Sequence, residues 1–576
     1  MLPPVLILNT HLPVFPGGGG VEALTTRHLA ALSEAVGLVS MVHSARDLEQ
    51  AQPLFDAGVR PYLWRSPAAD APPAAGPARP SPRERLAPVL RDLVDRLQAG
   101  TDRPADTFVL QRGFRHLSAG VWQALSERRW PIVAVVESTA AGLLGSLPRP
   151  RLSVLVMHDV RALVYERRAA VAGSSDERRR WQREARRYRA FEARWCREYD
   201  LVVTVSEHDA RWVRERYRPR RVITVPLPVD AGYFAAAPAE AQQPGQIVFT
   251  GLMNHPPNAD AAVFFAREVL PRVRARVPGA RFQVVGRHAP PEVLELAALE
   301  GVEVTGAVPD VRPHLAQASV VVVPLRFGSG ARQKILEAWC LGRCVVSTPL
   351  GAEGLEAEDG RNLLLAEGAE ALAEQVARAL SDAGLRDSLR RAGREVALRA
   401  HDPRRIAEDY ARALQAALHE KPAPLRGLVD LRFLRPGGDD AAQRRARGLV
   451  RALPALLGPD ERCTVLLPAA ARRELDWPAD GRLRAWCPDD LGVRLRALRG
   501  RAWQALRGAL GIFRDVSPEL LRLRWLRELE ADACYAPAGP SPELAPLAQV
   551  ETEGLPDEPV ELARAVLERL RAAARS

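Results

Sequence analysis

Residues 319–355, SVVVVPLRFGSGARQKILEAWCLGRCVVSTPLGAEGL, decide the fold of this chain. The β-branched run Val320–Val323 is typical of a short strand that is buried on both faces of a parallel sheet. The turn Gly328-Ser329-Gly330, hereafter the glycine turn, predicts the start of a helix near Ala331. A second apolar run, Cys344–Ser347, predicts the next strand. The stretch therefore forms a strand–turn–helix–strand unit of an α/β domain.

The glycine turn lies where the carboxyl end of a strand meets the amino end of a helix. Backbone N–H groups converge at such a point, and the helix dipole favours an anion there. Arg332 and Lys334 add two cations to the first turns of this helix, where acidic residues are usual. Lys334 and Glu337 share a helix face, so one can hold a phosphate while the other accepts from sugar or ribose hydroxyls. The alternative is a surface ion pair between these two side chains.

Three motifs of the same stretch carry a resemblance. They are Gly-x-Gly-x-Arg-x-Lys-x-Leu-Glu-Ala from Gly328, Leu-Gly-x-x-Val-Val-Ser-Thr from Leu341, and Gly-Ala-Glu-Gly-Leu from Gly351. Together they resemble the nucleotide-sugar half of GT-B glycosyltransferases of the retaining family-4 group, and within it bacterial exopolysaccharide-type sugar transferases. The usual signature of that group has two glutamates. Glu337 matches the second, whereas Ser329 stands at the position of the first. The resemblance therefore implies that the Ser329 hydroxyl and the backbone N–H groups of the glycine turn serve the hydroxyls of the donor sugar.

Further stretches extend the resemblance on both sides. Gly19-Gly20-Val21-Glu22 is similar to the opening glycine element of the group, and the turn from Gly251 is similar to its Thr-Gly-x-Met turn. The strand end at Gly286-Arg287 corresponds to one that lines the nucleotide base pocket. Arg287 can stack on a base, contact phosphate or be solvated. The donor site that the resemblance implies contains Gly19, Gly20, Gly251, Gly286, Arg287, Gly328, Ser329, Gly330, Arg332, Lys334 and Glu337.

A histidine follows another predicted strand of the first half. The run Ser153–Met157 ends at His158-Asp159, and a parallel sheet presents its ligands at this edge. Members of the resembled group commonly have a histidine here, near the transferred sugar. The resemblance therefore implies His158, Lys334 and Glu337 as active-site residues. A satisfied core histidine is an equal alternative for His158.

The resemblance implies an α/β fold of GT-B architecture, with two Rossmann-like domains that face a cleft and a third, smaller α/β domain. The chain of 576 residues is long enough for several domains. Further predicted strands in the first half are Val5–Leu8, Thr107–Leu110, Ile132–Val136, Leu201–Val205 and Val222–Val229, and residues 66–82 predict a Pro/Ala-rich surface excursion. The expected units are residues 1–234 (acceptor side), 235–402 (nucleotide sugar), 403–420 (a helix that returns to the first domain) and 421–576 (an appended partial Rossmann-like domain, non-catalytic).

Composition limits the functional classes. The six cysteines have no CxxC spacing and no histidine completes a zinc set, so we expect no metal site and a reducing, cytoplasmic environment. The first residues lack a basic region, and no run of about 18 apolar residues occurs, so we expect neither a signal peptide nor a membrane span. The net charge of +11 accompanies no nucleic-acid motif.

The segment Glu177–Glu198 predicts a basic amphipathic helix. Trp181, Tyr188, Phe191 and Trp195 mark one face, with nine arginines between them and around them. Such a helix can lie on anionic lipid at the inner face of the membrane. The favoured interpretation is a helix that packs its aromatic face on the sheet and leaves the arginines solvated.

The predicted function is a metal-independent, retaining hexosyltransferase without a cofactor. It moves a sugar from a nucleotide-diphosphate sugar to a glycan or lipid-linked acceptor in polysaccharide or envelope-glycan synthesis. We expect no nucleic-acid partner. Two alternatives stay open: a non-catalytic protein that binds nucleotide sugars as a scaffold, and a GT-B sugar-nucleotide epimerase.

Overall fold

The structure is a computed structural model of the whole chain. It describes residues 1–9, 20–42, 45–65, 120–235 except 122, 126, 129 and 148–149, 242–420, and parts of 426–575. In this last region the described residues are 426–432, 434–435, 439–457, 461–475, 483–486, 533–535, 548–549, 555 and 559–575. The predicted strand Thr107–Leu110, the excursion at 66–82 and Gly19 lie outside the described residues.

The first domain is built on a seven-stranded parallel sheet with the order β3-β2-β1-β4-β5-β6-β7. The chain starts in the middle of this sheet, runs outward to one edge and then returns to build the other side. The order therefore reverses between β1 and β4, and ligands of such sheets bind at this switch point. The strands are β1 (Val5–Leu8), β2 (Val36–Val42), β3 (Val59–Arg65), β4 (Ile132–Val136), β5 (Leu152–Met157), β6 (Leu201–Thr204) and β7 (Val222–Thr224).

The second domain repeats this plan with a six-stranded parallel sheet of order β10-β9-β8-β11-β12-β13. Its switch point lies between β8 and β11, which are direct neighbours. All four valines of Val320–Val323 are fully buried, as expected for a strand covered on both faces. The strands are β8 (Gln246–Thr250), β9 (Arg281–Val285), β10 (Val302–Gly306), β11 (Val320–Val323), β12 (Cys344–Ser347) and β13 (Leu364–Leu365).

Helices cover both sheets. In the first domain they are Gly20–Leu32, Ala45–Asp56, Arg161–Ala170, Ser175–Glu198, Glu207–Tyr217 and Ala231–Ala235, with a 3-10 helix at Ser138–Ser146. In the second domain they are Pro256–Phe264, Leu270–Arg276, Pro291–Leu294, Arg312–Gln317, Gln333–Cys340, Ala369–Ser381 and Ala383–Ala400, with a π-helix at Phe265–Val269 and a 3-10 helix at Glu295–Ala298. The expectation of two Rossmann-like α/β domains is confirmed.

The helix Pro403–Glu420 follows the second domain but packs on the first. It contacts the helix Gly20–Leu32, and its Tyr410 and Leu414 belong to the same apolar cluster as β1. The chain thus crosses back at this point, and the helix ties the two domains together.

A third parallel sheet lies in the carboxyl-terminal region, with the order β16-β15-β14-β17-β18. It repeats the reversal seen in the two other sheets. Its strands are β14 (Arg426–Asp430), β15 (Arg462–Leu466), β16 (Leu483–Trp486), β17 (Ala533–Tyr535) and β18 (Ala548–Gln549), and its helices are Ala441–Leu456, Ala469–Glu474 and Pro559–Arg575.

Two local predictions differ from the structure. The spacing of Val21, Thr25, Leu29, Leu32 and Val36 predicts one helix that includes all five residues, but the helix ends at Leu32 and Val36 begins β2. The predicted strand Val222–Val229 ends at Thr224, since the prolines that follow supply no N–H group to a ladder.

The long basic helix Ser175–Glu198 packs its aromatic face on the first sheet, since Tyr188, Phe191 and Trp195 lie in or against the apolar cluster that contains β5 residues. Its buried side chains are Ala185, Tyr188, Glu192 and Cys196, whereas Trp181, Phe191 and Trp195 are only partly buried. Among the described residues, no helix is long and apolar enough to cross a bilayer.

Candidate functional site

Beside the switch point of the second sheet, the ends of β8 and β9 form a backbone surface of two glycines without side chains. Gly251 follows β8 and Gly286 follows β9, and a Cβ at position 286 would lie 1.8 Å from the carbonyl oxygen of Gly251. A Cβ at position 251 would lie 3.2 Å from Nζ of Lys334. Only glycine allows the two strand ends to approach each other and Lys334 so closely.

Lys334 projects from the helix Gln333–Cys340 into this surface. Its Nζ donates to Oδ1 of Asn258 at 2.6 Å and lies 4.6 Å from the ring centre of Phe249. The amide of Asn258 is itself fixed, because its nitrogen donates to the carbonyl of Leu252 at 2.9 Å. Burial, helped by the nearby charge of Arg332, lowers the pKa of Lys334 to about 7.

Glu337 lies one helical turn further along the same helix. Among the described residues, no ion pair joins Glu337 to Lys334, so the alternative of a surface ion pair does not describe this structure. Burial raises the pKa of the Glu337 carboxyl to about 7, and the Lys334 charge opposes that rise. The two side chains therefore titrate in the same range.

Arg332 supports the glycine turn from its own helix end. Its Nη1 donates to the carbonyl oxygens of Ser329 and Gly330, the latter at 2.9 Å. Two further nitrogens, Nε and Nη2, are buried and hydrogen-bond to none of the described residues. Burial lowers the pKa of the guanidinium, while Asp159, Glu353 and Asp209 oppose that change. Arg332 thus holds the glycine turn through Nη1 and keeps two further nitrogen donors buried.

The glycine turn contacts the first domain directly. The Ser329 hydroxyl accepts from the backbone N–H of Val160 at 2.7 Å, and the Gly330 N–H donates to the Asp209 carboxylate at 3.0 Å. Gly330 has φ +79, and a Cβ there would lie 2.2 Å from the carbonyl oxygen of His158. The groups expected to serve sugar hydroxyls are thus engaged by the first domain in this structure.

A salt bridge also joins the two domains here. The contact region between the domains is hereafter called the junction. Arg167 binds Glu353 through both guanidinium nitrogens, at 2.9 and 2.7 Å, and also donates to the carbonyl oxygen of Gly328 at 2.7 Å. His208, Asp209 and Glu353 place ligand atoms within 4.8 Å of one another, which is a spacing that can hold a cation. Here the guanidinium of Arg167 already satisfies Glu353, so the cluster functions as an interdomain ion-pair network.

His158 follows β5 at the carboxyl edge of the first sheet, next to the end of β4. Its Nδ1 lies 3.1 Å from Oε1 of Glu137, and the ring is 19% exposed. The structure therefore places His158 beside the glycine turn, because its own carbonyl oxygen abuts Gly330. His158 thus abuts the glycine turn, which precedes the helix that carries Lys334 and Glu337.

A buried carboxylate holds the helix that starts after His158. Glu192 is 1% exposed and accepts from the backbone N–H groups of Arg161 and Ala162, at 2.9 and 3.2 Å. The hydroxyls of Ser138 and Tyr217 donate to it at 2.7 Å each. Burial raises the pKa of Glu192, and these hydrogen bonds oppose the rise. Glu192 therefore caps the helix that carries Arg167.

An apolar pocket opens beside His158 between the first sheet and the helices that cover it. Its empty volume, including the mouth, is about 620 Å³, and aliphatic side chains such as Val205 and Leu227 form most of its wall. Tyr410 is 6% exposed, lines the pocket, and hydrogen-bonds through its hydroxyl to none of the described residues. Thr25, Thr26 and Tyr410 add the hydroxyl groups of this otherwise aliphatic wall.

Three predicted site residues lie apart from these contacts or outside what can be described. Gly19 is not among the described residues, and Gly20 is the first residue of its helix. The Arg287 side chain is exposed, and its guanidinium hydrogen-bonds to none of the described residues.

Four residues of the junction were missed by the sequence analysis: Glu137, Arg167, Glu192 and His255. A signal existed for Glu192, since it is an acidic residue on the buried stripe of its helix, four residues from both Tyr188 and Cys196. His255 occupies the N-cap position of the helix Pro256–Phe264 without a side-chain capping bond, and burial lowers its pKa.

Three solved structures have a similar fold. Sucrose-phosphate synthase from Thermosynechococcus elongatus is 17% identical, with 72% of this chain and 99% of that chain covered and a TM-score of 0.49. HepE from Anabaena in complex with UDP is 14% identical, covers 72% of this chain and 100% of its own, and has a TM-score of 0.45. TarM from S. aureus, in a complex that contains UDP, is 9% identical over 71% and 99% of the two chains, with a TM-score of 0.49.

Curated proteins show no match to the chain. A family model matches residues 244–382 and is described as glycosyl transferases group 1. The matched residues contain Gly251, Gly286, the glycine turn, Lys334 and Glu337. The domain that presents this backbone surface and its buried cations is therefore similar to the glycosyl transferases group 1 family.

Proposed function

We propose that this protein transfers a sugar from a nucleotide-diphosphate sugar to a glycan or lipid-linked acceptor, with retention of the anomeric configuration. The setting is polysaccharide or envelope-glycan synthesis in a bacterial cell. The match of residues 244–382 to glycosyl transferases group 1 supports sugar transfer. The site geometry supports the finer assignments of donor, leaving group and acceptor.

One observation carries the donor assignment: the buried ammonium of Lys334 faces a surface where the backbone has no side chains, and Arg332 lies at the neighbouring glycine turn. The Gly251–Gly286 contact lets a diphosphate approach main-chain atoms, and Lys334 lies at its edge. An ammonium whose pKa is lowered by burial gains its charge back when an anion binds. Arg332 adds two buried N–H donors that lack a partner among the described residues, and leaving such donors unpaired costs about 1–3 kcal/mol each. An anionic ligand would stabilise the charged form of Lys334 and pair with the buried donors of Arg332.

The same cations suit the departure of a nucleoside diphosphate. Negative charge grows on the leaving phosphate as its bond to the sugar breaks, and fixed positive groups stabilise that charge. Lys334 and Arg332 supply this positive charge without a divalent ion, so we propose that the reaction needs no metal. Glu337 anchors the ribose, and the leaving phosphate accepts the proton of the acceptor hydroxyl. No protein base is assigned.

The apolar pocket beside His158 supports an acceptor with an apolar part. The pocket lies in the first domain, on the far side of the junction from Lys334, where an acceptor must approach the transferred sugar. Apolar pockets with a few placed hydroxyls are typical of small-molecule sites. Tyr410 supplies such a hydroxyl in an aliphatic wall. A lipid-linked acceptor can therefore place the start of its hydrocarbon chain in the pocket and its hydroxyl at the junction.

The arginines of the basic helix support work at the inner face of the membrane. Eight arginines of the helix Ser175–Glu198 are exposed: Arg178, Arg179, Arg180, Arg183, Arg186, Arg189, Arg194 and Arg197. Each basic side chain that lies close to an anionic bilayer surface contributes about 1 kcal/mol to the free energy of membrane binding. A peripheral contact through this helix would place the protein at the membrane that holds lipid-linked acceptors.

The proposal is tested by product analysis. UDP-glucose is the first donor, because the solved HepE structures include one with this compound. Acceptors are offered as matched glycosides that differ only in a methyl or an octyl aglycone, with excess EDTA present. We expect an α-linked product, nucleotide release that survives EDTA, and a lower KM for the octyl compound because its chain fills the pocket. Donors with GDP and ADP follow in the same format.

Each other outcome would refute one part of the proposal or support one of the alternative functions. Loss of all turnover in EDTA with recovery on adding Mg²⁺ would refute metal independence. A β-linked product would refute retention. Donor binding with no product from any acceptor would favour the scaffold, and a free epimerised sugar as the product would favour the epimerase.

Donor affinity is expected to peak near pH 7 and to fall on both sides. Above that pH Lys334 loses its proton and its attraction for the diphosphate, and below it Glu337 gains a proton and stops accepting from the ribose. UDP-glucose is the ligand for this titration, because its diphosphate carries no terminal phosphate that titrates near pH 6. Lys334→Arg keeps its charge and should remove the alkaline fall, and Glu337→Gln should remove the acidic one. An alkaline fall that is unchanged in Lys334→Arg would refute the assignment.

A further inference from the structure

Glu137 has a backbone conformation that L-residues rarely adopt. It follows β4 at the switch point of the first sheet and has φ +77 and ψ 131. Its own N–H donates to the carbonyl oxygen of Val156 on β5 at 2.8 Å, which holds the backbone in this conformation. Strained residues of this kind persist only where the surrounding structure fixes them, and they cluster at functional sites.

The side chain of Glu137 crosses from the end of β4 to the end of β5. Its Oε1 lies 3.1 Å from Nδ1 of His158, and its Oε2 lies 3.9 Å from a guanidinium nitrogen of Arg161. Glu137 and His158 are 24% and 19% exposed, so solvent only partly screens the pair. The carboxylate is thus the polar partner that the first sheet presents to the histidine at the junction.

The ion pair with Arg161 is one structural role of the Glu137 side chain, and helix capping is not a second one. The residue precedes the 3-10 helix Ser138–Ser146, but its side chain makes no capping hydrogen bond. Glycine would adopt φ +77 without strain, so the backbone alone favours glycine. The contact with His158 gives a reason for a carboxylate in spite of the conformational cost.

We propose that Glu137 is a positioning residue for His158. As acceptor for Nδ1–H, the carboxylate fixes the ring plane and selects the tautomer whose Nε2 carries the lone pair. Nε2 then accepts a hydrogen bond from a hydroxyl of the transferred sugar and orients it at the junction. This role rests on the proposed sugar transfer, whereas the tautomer and the ring orientation do not.

The first test separates positioning from folding with Glu137→Gly and Glu137→Gln. Glycine removes the strain, but it also removes the carboxylate that faces the Arg161 guanidinium, so the two effects of Glu137→Gly on the melting temperature oppose each other. Its kcat with UDP-glucose should fall by at least about tenfold, with little change in KM for the donor. Glu137→Gln keeps an acceptor oxygen and should lose less activity. A folded glycine variant that keeps kcat within about twofold of wild type overturns the proposal.

The second test requires no turnover. Nitrogen NMR of the ¹⁵N-histidine-labelled protein should show His158 with a protonated Nδ1 and an unprotonated Nε2 at neutral pH. In Glu137→Gly the Nε2–H tautomer should become populated, because the acceptor for Nδ1–H is gone. A wild-type ring in the Nε2–H form overturns the positioning role even if sugar transfer is established. The expected tautomer, in a protein that turns over no donor, would leave the positioning intact and count against the transferase alone.

Discussion

Replacing Gly330 with alanine is expected to lower donor turnover by about 100-fold, the scale of a small misplacement of catalytic groups. The new Cβ would lie 2.2 Å from the carbonyl oxygen of His158, so the glycine turn and the first domain cannot keep their present contact. The N–H of residue 330 would also move from the Asp209 carboxylate. Since the clash lies between domains, each domain should still fold, and the loss should appear in kcat more than in the melting temperature.

Gly360→Ala is the matched control for Gly330→Ala. Gly360 has φ +71, close to that of Gly330, but no atom lies within 4 Å of its would-be Cβ. Both variants pay the left-handed penalty of about 1–2 kcal/mol, and only Gly330→Ala adds the interdomain clash. Equal kcat values for the two variants would show that the junction does not close in this way during turnover.

Lys334→Ala is expected to reduce kcat/KM for the donor by about 100-fold to 1,000-fold, the usual effect of removing one preorganised group from a developing charge. The same change should not lower the melting temperature, because burial of the ammonium already lowers the pKa of Lys334 and opposes its charge in the folded protein. Steady-state nucleotide release and thermal melting, measured on the same preparation, separate these effects.

Arg361→Ala serves as the control for the loss of one positive charge. Arg361 lies in the same domain, its side chain is 72% exposed, and it pairs with Glu358 at the surface. Its removal changes the net charge by the same amount and should leave kcat/KM within about twofold, as exposed pairs contribute little. A similar loss in both variants would attribute the effect of Lys334→Ala to general electrostatics.

The second domain followed from its sequence because its signals are local. Val320–Val323, the glycine turn and Cys344–Ser347 lie within one short stretch, and the strand, turn, helix and strand occupy nearly the predicted residues. Local signals also misled in one place. Val36 continues the spacing of the preceding helix by chance, and the pairing of β1 with β2 overrides it.

The junction between the domains could not follow from one sequence. Arg167 and Glu353 are 186 residues apart, and Asp209 and Gly330 are 121 residues apart. No spacing rule links partners at such distances, because the relative placement of two separately folded sheets brings them together. The hydroxyl of Ser329 is the clearest example. The resemblance directed it to the donor sugar, whereas here it accepts from the Val160 backbone.

Glu137 shows a different limit. Its sequence context, a strand followed by a serine, carries no sign of the positive φ that turns its side chain toward His158. Such strain is stabilised by contacts made elsewhere, so only the folded structure shows it.

Calorimetric titration of UDP-, GDP- and ADP-glucose into the wild-type protein and Lys334→Ala, with EDTA present, tests the donor site most directly. One of the three should bind the wild type and bind Lys334→Ala at least about 30-fold more weakly, which corresponds to the loss of a charged hydrogen bond worth about 2 kcal/mol or more. Equal affinity for both proteins, or no binding of any nucleotide sugar to the wild type, would contradict a donor site at residues 328–337.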